Sequence, residues 1–467
     1  MGILCCILAA VLIAAVCSGA ANIVSNELLY FPATSKITLH SVLQGLQYSL
    51  PAIILPLLVG LLVYKSRRPR RWAWGSVLAC GAAQAAVLLF WKVAPVSDFQ
   101  LTYDLSAALY RAAPSEWGSI LNRIGTDYNG LWSAHLPFII YQTLVFDVFG
   151  KSVQALQAMN LAASVLTCFL TVHTAKSLFG EKAGALAGWL FALNPTILFF
   201  VPVLTNQHIA ALFFVLGLWV YFRRPFEKQI KNGLFCGAAL ALSQLMRPEM
   251  YVVLIALAAC LVYQLLHRPE KKRALEEMLF VVALLAAFFG CIGLLDVVLI
   301  QSGTIHGSLL SGNIKYKLAI GLNQETHGLW SAGDAALLYD PDALDTVLSS
   351  RLSNPASIVL LMVKKVLYQM GSFSYSWSYI DRASLTVQKL YICISQAGGS
   401  VLALASTAAI LLRPSHRKKQ VLLLVIMAGF ICTFSLIEVQ ARYNFLFFPL
   451  FALAASGLFA EKKLDRP

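Results

Sequence analysis

The chain has 467 residues, of which 59% are hydrophobic and only 12% charged, and its formal net charge is +14. Soluble domains run at about 45–50% apolar and about 25% charged, and a chain of this length has too little volume to hide so much apolar surface from water. These values exclude a soluble enzyme, a disordered tail and a fibrous repeat, and they make lipid part of the solvent.

The N-terminal run Met1–Ala21 is apolar, with small residues at Ser18–Ala21. It lacks the basic flank of a secretory leader and reads as an uncleaved first span. A crossing helix needs about 20 apolar residues. The segments that meet this are 3–23, 40–64, 72–93, 152–174, 183–203, 206–222, 231–246, 250–266, 275–299, 386–412, 420–437 and 443–460. The expected fold class is therefore an all-α polytopic membrane protein with about 12 transmembrane helices. Two further apolar stretches, 136–149 and 356–370, are predicted to lie at the outer surface. The first contains Pro137 and Asp147, and its fourteen residues span about 21 Å against about 30 Å of hydrocarbon.

Charge supports this arrangement. With both doubtful stretches kept on the surface, 22 of the 36 Lys and Arg fall on one side, in clusters at 65–71, 176–182, 223–231, 268–277, 413–419 and 461–466. The positive-inside rule makes that side cytoplasmic, with both termini on it. The expected location is a plasma membrane, and the basic excess is a topology signal that implies no nucleic-acid partner. Two long segments, 94–150 and 301–385, then face outside, and loops of that length are usually functional. The ten cysteines all lie in apolar runs without metal-ligand spacing, so neither a disulfide frame nor a zinc site is indicated.

Asp98 follows the third span at the membrane boundary, where a low-dielectric wall can tune a carboxylate as a general base. Ser97 or Asp98 equally suits a helix N-cap. Asp104 lies six residues on, near neither i+3 nor i+4. His135, in an aromatic-rich stretch from Tyr128 to Phe138, suits either an interfacial belt or contact with a phosphate or sugar hydroxyl. Asn206-Gln207-His208 opens the sixth span. Arg247 and Glu249 flank Pro248 and suit either mutual neutralisation or anion binding. The Gly-, polar- and aromatic-rich stretch 321–334, with His327, has the composition of a sugar-binding loop. Near the end, Glu438 and Arg442 have the spacing of a helical ion pair, with Tyr443 beside them. The alternative role for Arg442 is to hold a phosphate. Asp127, Glu325 and Asp334 leave a divalent cation possible, although no spacing demands one and no cofactor or metal site is predicted. Nucleotide-hydrolase, zinc-protease and serine-hydrolase motifs are absent from the sequence.

The order of these pieces resembles the GT-C membrane glycosyltransferases, in particular the group of dolichyl-phosphate-mannose–protein mannosyltransferases and aminoarabinose transferases. The resemblance rests on Pro95-x-Ser97-Asp98-Phe99, on the outer helix ending Val148-Phe149-Gly150, and on Ser177-Leu178-Phe179-Gly180. It continues through Leu193-Asn194-Pro195 to Leu204-Thr205-Asn206, and ends at Glu438-x-x-x-Arg442-Tyr443 with Pro449 beyond. It covers roughly 72–460 as a catalytic module, leaving 1–71 as two additional helices and 461–467 as a cytoplasmic tail. It implies a polyprenyl-phosphate sugar donor, a glycan, lipid or protein acceptor, and inverting single displacement. By position Asp98 looks like the base, and Arg442, then Arg247, like the donor-phosphate ligands. Substrate contacts are expected from Asp104, His135, Asn206, Glu438, Tyr443 and His327. Asn206 departs from the family pattern, because many relatives carry an acid there. A lipid-linked polymerase or ligase, and a transporter or flippase, are the alternative readings.

Overall fold

In the computed structural model the structure describes residues 2–25, 43, 54–91, 93–123, 132–267, 271–310, 313–371, 385–412 and 417–460. Tyr128 to Leu131, Asp127 and the basic tail at 461–467 lie outside them. The described residues are all-helical and contain no strand. Lipid offers backbone groups no hydrogen bonds, so an uninterrupted helix is the structure that satisfies them within one segment.

In chain order the helices are α1 (Gly2–Ser25), α2 (Ile54–Lys65), α3 (Pro69–Phe90), α4 (Asp98–Leu109), α5 (Pro114–Arg123), α6 (Leu136–Phe149) and α7 (Val153–Phe179). Then come α8 (Glu181–Ala192), α9 (Pro195–Phe200), α10 (Gln207–Arg223), α11 (Gln229–Met246), α12 (Met250–His267) and α13 (Lys271–Gln301). The remainder are α14 (Ile314–Gly321), α15 (Ala332–Ala336), α16 (Pro341–Leu352), α17 (Pro355–Gly371), α18 (Leu385–Leu412), α19 (Arg417–Leu436) and α20 (Phe447–Ser456). Each predicted span thus has a helical counterpart among the described residues, although of the span expected at 40–64 only residue 43 and residues 54–64 are described. One is interrupted: the expected helix at 183–203 breaks between α8 and α9. Pro195 has no N–H to donate and disfavours helix at Asn194 before it. Five described helical segments have the length and hydropathy to cross a membrane, or six if α16 and α17, bent by 93°, count as one. The protein is therefore a multi-pass helical membrane protein.

The chain divides into two compact units. One comprises residues 70–188 and 197–312. Within it α11 packs against α10 and α13, and α10 against α7. At Gly237 an added Cβ would stand 2.1 Å from the Leu284 carbonyl oxygen, so only glycine lets α11 and α13 approach this closely. The other unit comprises residues 1–69, 189–196 and 313–467. Here α1 lies against α17 and α18, and α18 against α20.

Where a helix breaks, buried amides take up the freed carbonyls. Asn160 Nδ2 donates to the Val201 and Val203 carbonyls at 3.1 and 2.8 Å. Gln157 Nε2 reaches the carbonyls of Val93 and Pro202 at 3.3 and 2.9 Å. These bonds fix the turn between α9 and α10 onto α7. Asn160→Leu strips two buried carbonyls of a donor and should cost about 2–4 kcal/mol. A thermal unfolding curve in detergent checks this, and an unchanged midpoint contradicts it.

Candidate functional site

The predicted site residues fall into both units: Asp98, Asp104, His135, Asn206 and Arg247 in the first, His327, Glu438, Arg442 and Tyr443 in the second.

Asp98 opens α4 and is exposed. The helix buries Phe99, Leu105 and Leu109, and Ser106 Oγ lies within hydrogen-bond distance of the Ile139 carbonyl (3.1 Å) and Gln142 Oε1 (2.9 Å) on α6. The ring of Phe146 receives Tyr103 and Tyr110 edge-on. This packing fixes α4 and leaves Asp98 and Asp104 on its exposed side. Asp104 accepts from Gln100 Nε2 at 2.7 Å. Ser97 occupies the N-cap position, but its side chain makes no capping bond and its φ is 51°. That left-handed backbone costs a non-glycine residue about 1–3 kcal/mol. The simple serine cap expected at this point does not form, and Asp98 stands in the first turn, where a helix N-terminus favours negative charge.

His135 ends a short 3-10 turn ahead of α6, its ring 5.7 Å from that of Trp132. Asn206 Nδ2 donates to the Met246 carbonyl at 2.7 Å, capping the C-terminal end of α11. Arg247 is buried and holds Glu249 Oε1 through Nη2 at 2.5 Å and Nε at 2.6 Å. Of the two readings of this pair, neutralisation is what the geometry displays. Glu249 Oε2 is buried with no hydrogen-bond partner among the described residues.

In the second unit the C-terminal turn forms a polar knot. Glu438 and Arg442 do not share a helical turn as their spacing suggested, because residues 438–440 are not helical and a 3-10 helix begins only at Ala441. Glu438 is buried and pairs with Lys317 of α14 at 2.5 Å. Its other oxygen accepts from Gln440 Nε2 at 2.6 Å, and Gln440 Oε1 in turn accepts from Arg442 Nε. Burial works against the Lys317 charge, but Tyr443 and Glu438 outweigh it and raise the pKa of the ammonium above its ordinary value. Gln369 of α17 brackets the turn, donating to the Gln440 carbonyl at 2.7 Å and accepting from its N–H at 3.1 Å. Lys365, fully buried, donates to the carbonyls of Gly321 (2.7 Å) and Ile437 (2.6 Å).

The glycine-rich stretch 321–334 docks on this turn. The Gly328 carbonyl accepts from Val439 N–H at 2.8 Å, with Gly328 at φ +81° and His327 at φ 56°. Gly328 is free to adopt that backbone, whereas His327 adopts it under strain, its ring 6.2 Å from Tyr368. Asp334 is a structural residue here. It is buried and accepts from Asn323 (2.9 Å), Ser331 (2.8 Å) and Arg351 (2.7 Å). No group of three or more His, Cys, Asp or Glu gathers as a metal site among the described residues.

Sequence reasoning missed Lys317, Lys365, Gln369 and Arg351. Lys317 carried a weak signal, as a basic residue on the short segment Ile314-Lys315-Tyr316-Lys317 within the long segment 301–385.

Residues 136–295 match the family described as dolichyl-phosphate-mannose-protein mannosyltransferase. The match runs from α6 into α13 and contains Asn206 and Arg247, while Asp98 and Arg442 lie beyond its ends. It supports the resemblance drawn from the ordered motifs, and with the apolar helices it points to a membrane glycosyltransferase of the GT-C type. No curated protein matches the chain.

Removing one member of a buried ion pair strands the other. Glu438→Gln and Lys317→Met should each destabilise the protein, with a coupling in the double variant of about 1–3 kcal/mol. Additive losses in thermal unfolding contradict the pair.

Proposed function

We propose that this protein moves a sugar from a polyprenyl-phosphate-linked donor to a cell-envelope acceptor on the extracytoplasmic face, by inverting single displacement. The observation that carries this reading is the family match over 136–295. The ordered motifs on both sides of that segment support it.

In this mechanism Asp98 takes the proton of the acceptor hydroxyl or amine as that atom attacks the anomeric carbon. The bond to the phosphate oxygen breaks, and the polyprenyl phosphate leaves with the electron pair. Arg442 stabilises its charge, because preorganised cations act most strongly where charge develops. Arg442 is half-buried and enters this role already oriented by Gln440. Arg247 ranks second, since Glu249 already matches its charge. Asp104, His135, Asn206, Glu438, Tyr443 and His327 are assigned to binding, Asn206 and Glu438 mainly by holding neighbouring backbone and charge in place. Residues 72–460 form the catalytic module in this reading. About twelve crossings, counting the shorter helices, leave both termini cytoplasmic in a plasma membrane, with α6 and α17 at the outer surface.

Asp98→Asn removes the base while keeping the shape of the side chain. It should abolish transfer, a loss of at least about 100-fold, in protein that still inserts and accumulates normally. Arg442→Ala should weaken use of the lipid donor. Full activity of Asp98→Asn in a membrane transfer assay removes Asp98 from the chemistry, and an unchanged donor dependence removes Arg442 from the site.

A further inference from the structure

A cavity of about 250 Å³ lies where the start of α3 meets the end of α7 and the start of α8. It is lined by Arg70, Trp74, Phe169, His173, Lys176 and Glu181, among others, and it contains none of the residues proposed for the transfer chemistry. Its polar side is already organised. Glu181 Oε1 accepts from Arg70 Nε at 3.2 Å and from Lys176 Nζ at 2.7 Å. One carboxylate therefore orients two cations and leaves the group with an excess positive charge.

Arg70 spends only Nε on Glu181. Its side chain is 79% exposed, so the two terminal nitrogens stay open, and such a fork grips two oxygens of a phosphate at once. The opposite wall is aromatic. Trp74 and Phe169 stand 5.8 Å apart, and the His173 ring lies 4.1 Å from that of Phe169. From there α3 and α7 run side by side, with Gly81 against Val165. Leu78 and Leu166 lead away from the charged end and are exposed. A cationic fork at one end and an apolar, aromatic path at the other suit a headgroup with acyl chains better than a free ion. Basic residues flanking a membrane span also attract anionic lipid.

We propose that this cavity binds the phosphate of an anionic membrane phospholipid, with Arg70 and Lys176 as its ligands, Glu181 as their positioning residue and Trp74 beside the glycerol region.

Native mass spectrometry of the full chain, purified in mild detergent and supplied with phosphatidylglycerol or phosphatidylcholine, tests this. The wild type should retain phosphatidylglycerol preferentially. Arg70→Ala and Lys176→Ala should each lower that retention about fivefold, the effect of one basic residue near an anionic surface. Arg70→Lys, which keeps the charge, should lose less than Arg70→Ala. Equal retention of the two lipids overturns the proposal, as does unchanged retention in the Arg70→Ala/Lys176→Ala protein. Equal losses in Arg70→Lys and Arg70→Ala overturn the charge-based assignment. Displacement of phosphatidylglycerol by equimolar inorganic phosphate overturns the lipid as occupant.

Discussion

Hydrocarbon cannot hydrogen-bond a peptide group, and the rest of this structure depends on that constraint. It explains why the described chain is helical, and it also explains what happens at the interruptions. Breaks strand carbonyls, and at several of them a polar side chain is found aimed at the freed groups. Asn160 and Gln157 serve the turn after α9, Asn206 the end of α11, and Lys365 the ends of α14 and α19. Gln396 does the same for the Gly371 carbonyl at 2.5 Å. These amides and this lysine make the non-helical turns affordable, and the turns in their turn carry Asn206, His327, Glu438 and Arg442.

The same logic marks which polar groups serve as structural supports. Asp334 looked like a possible cation ligand in the sequence, but its oxygens are committed to Asn323, Ser331 and Arg351. Arg247 is committed to Glu249. Asp98 lies exposed at the head of a well-anchored helix, directly after a strained Ser97. A chain of contacts runs from Lys317 through Glu438 and Gln440 to Arg442.

The helices were legible in the sequence because long apolar runs admit few alternatives, and the apolar stretches 136–149 and 356–370 were legible as short helices for the same reason. The kink at Asn194-Pro195 is the exception: its apolar flanks read as one span although the proline forbids a continuous helix. The polar knot was not legible. Lys317 and Glu438 are 121 residues apart, and Lys365 is 72 residues from the carbonyl at Ile437. Local spacing cannot register such partners. It misled at Glu438 and Arg442, where a four-residue interval implied a helical pair and the backbone from 438 to 440 is not helical. The proposed site rests on an ordered series of weak motifs, since no single one of them dictates a chemistry.

The central claim is group transfer from a lipid-linked sugar, and the fate of that sugar tests it most directly. Purified protein in liposomes, supplied with a polyprenyl-phosphate monosaccharide and an envelope acceptor fraction, should release polyprenyl phosphate in step with a product bearing one added sugar of inverted anomeric configuration. Recovery of the intact lipid-linked sugar, merely moved to the other leaflet, would contradict the account and make the protein a transporter.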